Sequence, residues 1–374
     1  MNSNIRPAAP RARGAALKAR YPVLFARLLA FVVAVALAVP GLAPASPPSP
    51  LRTAWLAEHE AFPAWYAHER KWDAENGISL ELVLFPTGKN LVDNMRGAGC
   101  VIGGCGGAAA VFGLLDKRVY VIGVASDETD ANAVYVRPDS PLLAVRGANP
   151  SYPQLYGDAA SVRGRTVLAP LGTSAHQLLY FWLERLGTSD AETIVIDTKP
   201  EEALKAFMGG MGDAVALWAP DTYKAEALGL RPAATGRGCG ITQPILLIAD
   251  RKAADADPAA VAAFLKAYFR AVEALSAMPQ EELAPLYQRF MRDFAGRGLS
   301  VEEARADLES HRFLSGEEQR ALFRGGDGGG LLHGWIADVI RFHEATGALS
   351  RRQSKALEAM PLAAPRFLDG AVSD

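Results

Sequence analysis

From Leu51 onward, short apolar runs alternate with segments of helical periodicity, and this alternation constrains the fold more than any other feature of the chain. Such runs are buried on both faces only inside a sheet covered by helices, so β-α units with mostly parallel strands are expected. The runs are Leu51–Ala57, Leu80–Phe85, Val101–Gly103, Val119–Ala125, Thr166–Ala169, Thr193–Asp197, Ala214–Trp218 and Ile245–Ala249. Helices are expected over Trp65–Asn76, Lys89–Arg96, Ala108–Asp116 and Ser174–Leu186, and from Pro200 to the stop at Gly209 and Gly210. After Ala249 the pattern turns wholly helical. Asp257 is the N-cap and Pro258 the first turn of a helix whose buried face carries Val261, Leu265, Tyr268, Val272 and Leu275. Further helices fit Glu281–Phe294, Val301–Glu309, Glu317–Phe323 and Leu331–Thr346, and the tail from Met360 is expected to be loose.

Residues 1–45 follow a different logic. They hold six basic residues and no acid, then an uninterrupted apolar run Leu28–Val39, then Ala43-Pro44-Ala45. That order describes a Sec-type secretory signal peptide cut after Ala45, with an uncleaved anchor as the alternative. Residues 46–50 read as a short spacer before the fold. Export removes six of the 39 basic residues and leaves 33 against 41 acidic ones, a net charge of −8. An acidic exported protein is a poor nucleic-acid binder. The three cysteines, Cys100, Cys105 and Cys239, are too few for a disulfide framework; a Cys100–Cys105 pair and buried free thiols both fit.

Ligands of open α/β sheets sit beyond the carboxyl ends of the strands, a rule that selects five loops. In Glu58–Pro63, Glu58 and Glu60 are candidates for an amine, with His59 beside them, and Phe62 is either a pocket wall or core. In Gly103–Gly107, Gly106 and Gly107 let backbone N–H groups approach a ligand, tight packing being the alternative. Ser126–Asn132 carries three acids that together read as a solvated turn, with Asp127 and Asn132 kept as candidates. Gly172–His176 is the strongest loop. Thr173 or Ser174 caps the following helix, whose free N–H groups and dipole favour an anion, with His176 alongside; a plain N-cap with a surface histidine is the alternative. In Trp218–Asp221, Trp218 walls a cleft or packs in the core, and Asp221 is an acceptor. These loops carry six carboxylates (Glu58, Glu60, Asp127, Glu128, Asp130, Asp221) and no Lys or Arg. A doubly charged anion is therefore disfavoured. A zwitterion fits better, with its anionic end at Thr173–His176 and its amine near Glu58, Glu60 or Asp127.

Four stretches, in this order, resemble the substrate-binding proteins of ABC importers of the nitrate/sulfonate/taurine type. They are LRTAWLAEHEAFPAWYAHERKWDAENGISLELVLFPTG, GGCGGAAAVFGLL with VYVIGVASD, VRGRTVLAPLGTSAHQLLYFWLERLG, and MGDAVALWAP. The resemblance spans about Leu51 to Phe342. It implies a type II periplasmic-binding fold with two α/β lobes, flanking helices, a helical C-terminal segment and a cleft between the lobes. By analogy, lobe one takes residues 51–137 and 245–345, lobe two takes 138–244, and 346–374 form a tail. The crossings are expected near Tyr135–Asp139 and Thr242–Ile245. One departure is Cys100-Val101, where the family usually has an Asp before Ile-Gly.

The resemblance implies a monomeric, periplasmic solute-binding protein that hands a small ligand to an ABC permease and its ATPase, without cofactor or metal. An aliphatic sulfonate or taurine-like zwitterion is the expected ligand, with a pyrimidine or amine nutrient as the alternative. A membrane-tethered sensor would use the same cleft. An enzyme is not expected: there is no Gly-x-Ser-x-Gly, His-Glu-x-x-His or phosphate-loop motif. Some relatives of this fold are enzymes of cofactor biosynthesis, one of them with a cysteine-rich iron motif in its glycine loop, and only Cys105 stands in the matching loop here.

Overall fold

The computed structural model describes residues 48–323, 330–369 and 371. The expected signal segment, residues 1–45, lies outside them. Strand β1 (Ser49–Trp55) is already paired at Ser49, so the end of the expected spacer belongs to the fold. Pro50 is tolerated there because β3 pairs with β1 only at Thr53 and Ala54, leaving no ladder bond for a proline to break.

Two sheets form the frame. The first has the order β11-β4-β10-β3-β1-β2, with β2 at Ile78–Leu84, β3 at Ile102–Gly106, β4 at Val119–Asp127, β10 at Pro244–Asp250 and β11 at Arg312–Phe313. The second has the order β7-β6-β8-β5-β9, with β5 at Asn132–Val136, β6 at Thr166–Ala169, β7 at Ile194–Asp197, β8 at Ala214–Trp218 and β9 at Arg231–Thr235. β1 runs parallel to β2 and β3, and β6 parallel to β7 and β8. β10 is antiparallel to β3 and β4, and β5 is antiparallel to β8 and β9. Both sheets are thus mixed rather than mostly parallel, because the strands that carry the chain from one sheet to the other enter in the opposite sense.

The chain changes sheets between Asp127 and Asn132, earlier than the expected crossing at Tyr135–Asp139, and returns between β9 and β10. β5 and β9 have no counterpart in the sequence-based strand set. β9 contains Pro232, which a strand accepts at a sheet edge, and β9 is such an edge. β10 is buried at every residue, as a strand flanked on both sides requires. The helix Pro258–Ser276 buries Val261, Phe264, Leu265, Tyr268, Val272 and Leu275 against this sheet and the helix Phe62–Glu69. The C-terminal segment is not loose. A helix spans Arg351–Glu358, Ala363 bridges Val121, and Phe367 and Leu368 are buried. All three cysteines are free and buried.

Within β3 the glycines serve packing before anything else. A Cβ at Gly104 would lie 2.7 Å from Cζ3 of Trp55, and one at Gly103 would lie 2.7 Å from the carbonyl oxygen of Ala54. Trp55 cannot yield, because its ring stacks on Tyr268 at 6.2 Å and its Nε1 donates to Thr53 Oγ1 at 2.8 Å. Gly104→Ala is therefore expected to cost about 1–3 kcal/mol by overpacking, read as a lower urea midpoint at unchanged m. A variant as stable as the parent would show that Trp55 has room to move.

Candidate ligand-binding cleft

A cavity of about 540 Å³ lies where the carboxyl ends of strands from both sheets meet. Leu56 and Glu58 follow β1, Thr87 to Lys89 follow β2, and Gly106, Ala108, Ala109 and Phe112 belong to the end of β3 and the helix after it. From the second sheet come Pro170–Ser174 after β6, Asp197 at the end of β7 with Thr198–Pro200 after it, and Trp218 at the end of β8. The size suits a small organic solute.

Two carboxyl groups dominate its chemistry. Glu58 accepts a hydrogen bond from Trp218 Nε1 at 3.0 Å, a contact that spans the two sheets. Burial raises the Glu58 carboxyl above the usual range, opposed by Arg297 and by the Trp218 bond. Glu128, only 4% exposed, sits in the first crossing. Burial pushes its carboxyl up to about 8, the charge of Glu58 pushes the same way, and a hydrogen bond from the Ser174 hydroxyl opposes both. Gly106 lies beside this carboxyl: a Cβ there would sit in ordinary contact, 3.6 Å from Glu128 Oε1.

Of the residues selected from sequence, Glu58, Gly106, Thr173, Ser174 and Trp218 line the cavity. The others are placed elsewhere, each for a local reason. Phe62 is fully buried among Tyr287, Phe290 and Tyr66. His59 is buried behind the cavity; its Nε2 meets Ser126 Oγ at 2.6 Å and its ring stacks on His311 at 3.5 Å. Burial and His311 hold the His59 imidazole well below the usual range. Glu60 is fully buried, and burial together with Glu58 raises its carboxyl well above the usual range. Gly107 packs against Pro244 and Val339.

Asp127 and Asn132 flank the first crossing between the sheets. Asp127 Oδ1 accepts from the Thr129 amide at 2.9 Å, and Asn132 Nδ2 donates to the Glu128 carbonyl at 3.0 Å. The two crossings are also bonded to each other: the Glu128 amide donates to the Gln243 carbonyl, and the Gln243 amide donates to Thr129 Oγ1, both at 3.0 Å. Asp221 pairs with Lys224 at 2.9 Å. His176 folds back on its own loop, taking the Gly172 amide on Nδ1 at 3.2 Å and meeting Asp190 through Nε2 at 3.3 Å. The helix Ser174–Arg185 begins with the Thr173 hydroxyl accepting from the His176 amide, so the expected N-cap is present. Its anion-favouring end, however, already faces the chain's own Glu128 through Ser174.

Sequence reasoning missed Glu128, taken as part of a solvated turn, and also Lys89, Asp197, Thr198 and Lys199. The signal for the last four was present, because the strand-end rule applies equally to β2 and β7. Lys89 and Lys199 overturn the expectation of a cleft without basic residues. Both are largely exposed at the rim, paired with Asp93 and Glu202. Among the described residues, no group of three His, Cys, Asp or Glu could hold a metal ion, and no helix is long and apolar enough to cross a membrane.

The profile of the NMT1-like family matches residues 44–286. A protein of Brachyspira hyodysenteriae, provisionally named as an ABC transporter periplasmic binding protein, is 26% identical over 275 residues, 74% of this chain and 79% of that protein. The alkanesulfonate-binding protein SsuA of Xanthomonas axonopodis pv. citri, solved with MOPS, superposes with a TM-score of 0.58 at 20% identity, over 88% of this chain and 99% of that one. The periplasmic nitrate-binding protein NrtA of Synechocystis PCC 6803 gives 0.61 at 12% identity, over 87% and 88%. At these identities the two structures establish the fold, that of the periplasmic binding proteins, and they bear out the resemblance carried by the motifs. The profile covers more than half of the chain, which therefore belongs to the NMT1-like family.

Proposed function

We propose that this protein is the extracytoplasmic solute-binding component of an ABC importer, and that its cleft takes a small zwitterion of the taurine type. The Brachyspira relative's name supports the transport role. The observation that carries the ligand class is the pair Glu58 and Glu128, both raised by burial and repelling each other, at one cavity wall. A protonated amine supplies the counter-charge that burial withholds from them. The anionic end then belongs at the rim near Lys89 and Lys199, one following a strand of each sheet, rather than at Thr173–His176, where it would meet Glu128. The Xanthomonas neighbour was solved with MOPS, itself a zwitterionic sulfonate. Closure of the lobes on the ligand would present the closed surface to the permease and its ATPase.

A second reading rests on Phe112 and Trp218, the aromatic side chains of the lining, and on a Glu128 that keeps its proton at neutral pH. A protonated carboxyl beside aromatic walls suits an amino-substituted pyrimidine, which accepts as well as donates.

Thermal shift separates these readings, because a ligand that binds only the folded state raises its melting temperature. Taurine, ethanesulfonate, ethylamine and cytosine are the probes. Taurine is expected to give the largest shift, ethylamine a smaller one and ethanesulfonate none. Glu58→Gln is expected to weaken taurine about tenfold or more, since it removes a charge-assisted contact. Ethanesulfonate binding as well as taurine, in both parent and variant, would overturn the amine role of Glu58. A shift with cytosine alone moves the ligand class to the second reading.

A further inference from the structure

A second contact joins the lobes outside the ligand cavity. Tyr223, on the helix Asp221–Ala227 that follows β8, extends its hydroxyl to the helix Val301–Ser310 of the other lobe. There it meets Asp307 Oδ1 at 3.1 Å, the Ala306 carbonyl at 3.3 Å and Ser310 Oγ. Asp307 is 3% exposed, and its carboxylate is held by two further contacts. Tyr287 donates to Oδ2, and His311 Nδ1 lies 3.1 Å from Oδ1 and 2.8 Å from the Asp307 carbonyl. Tyr287 and His311 are on the same side of the cleft as Asp307; Tyr223 is the one partner that arrives from the second sheet's lobe.

Tyr223 is five positions beyond Trp218, the residue that crosses the cleft to Glu58. One segment of the second lobe therefore touches the first at two points. Trp218 meets Glu58 inside the cavity, and Tyr223 meets Asp307 outside it. A ligand can compete for Glu58, whereas Asp307 is absent from the cavity lining.

We propose that Tyr223 is a positioning residue for closure: its bond to Asp307 holds the closed arrangement of the Trp218–Ala227 segment and so raises ligand affinity without contact to the ligand. The physical basis is the cost of leaving a buried carboxylate short of a donor. Separating the lobes at this point takes the Tyr223 hydroxyl away from Asp307, and that cost favours the closed state in the absence of any ligand. By the linkage between closure and binding, a larger closed fraction means a tighter apparent affinity. The inference goes beyond the ligand class proposed above, and its first readout needs no ligand.

Tyr223→Phe keeps the ring and removes only the hydroxyl. Small-angle X-ray scattering of the ligand-free protein is expected to show a larger radius of gyration for Tyr223→Phe than for the parent. Taurine affinity, measured by calorimetric titration, is expected to fall about tenfold, the scale of one lost bond to a charged group. Asp307→Asn, which keeps the side-chain shape, is expected to shift the scattering in the same direction. Unchanged scattering overturns the proposal, and so does a lower melting temperature with scattering and affinity both unchanged, because that pattern marks a contact with no part in closure. If taurine does not bind the parent, the ligand class fails while the scattering comparison still decides the role of Tyr223.

Discussion

Phe62→Ala is expected to lower the stability of the protein by about 3–5 kcal/mol and to leave the ligand affinity of the folded fraction unchanged. Phe62 is fully buried. Its ring meets Tyr287 edge-on at 5.0 Å, Phe290 at 5.1 Å and Trp65 at 6.0 Å, so truncation opens a void among large side chains that cannot collapse into it. The residue follows Glu58 by only four positions, which is why the sequence admits it as a pocket wall. Urea denaturation followed by calorimetric titration at a temperature where the variant is folded tests both halves. Weakened affinity with intact stability would return Phe62 to the cleft.

Glu128→Gln is expected to flatten the pH dependence of stability. The carboxyl is raised from 4.5 to about 8 in the folded protein, chiefly by burial. In the unfolded chain it ionises near the ordinary value, so between about pH 4.5 and 8 the unfolded state releases a proton that the folded state keeps. The stability this group contributes is thus fully present below that window and is lost as pH rises through it, amounting to a few kcal/mol. Glutamine stays neutral throughout. The melting temperature of the parent should therefore fall further between pH 5 and 9 than that of Glu128→Gln. Burial raises Glu58 and Glu60 in the same direction, and both interact with the charge of Glu128, so the difference between the two curves reads Glu128 together with its coupling to them. Parallel curves would show that Glu128 is hydrated and ionised near its ordinary value. The same sign governs binding. A permanently cationic probe such as choline prefers the carboxylate, must expel the proton below about pH 8, and binds the parent more weakly as the pH falls.

Much of the fold was legible in the primary structure. β1, β6, β8 and β10 are apolar runs bounded by turn residues, and the helix from Pro258 has both its N-cap and its buried stripe in view. These signals depend on residues within a few positions of one another, so they survive without tertiary information. β5 and β9 were not legible, because the first follows directly on an acidic turn and the second contains a proline. The misplaced first crossing follows from the missing β5. With Asn132–Val136 unassigned, the apolar runs place the change of sheet several residues too late.

The candidate site divides along the same line. Thr173 as N-cap, the glycines of β3 and the strand-end position of Trp218 are local properties, legible from neighbouring residues alone. Which carboxyl groups line the cavity depends on the tertiary structure alone. Glu58, Glu60, Asp127 and Glu128 are of one chemical kind and lie in two short loops. The short 3-10 turn His59–Ala61 after β1 and the bonds between the two crossings leave Glu58 and Glu128 at the cavity, Glu60 in the core and Asp127 on Thr129. Side-chain direction in a loop is set by what the loop packs against. Here those partners, Gln243 and Ser174 for Glu128 and Trp218 for Glu58, are brought in from distant positions by the crossing of the chain between its two sheets.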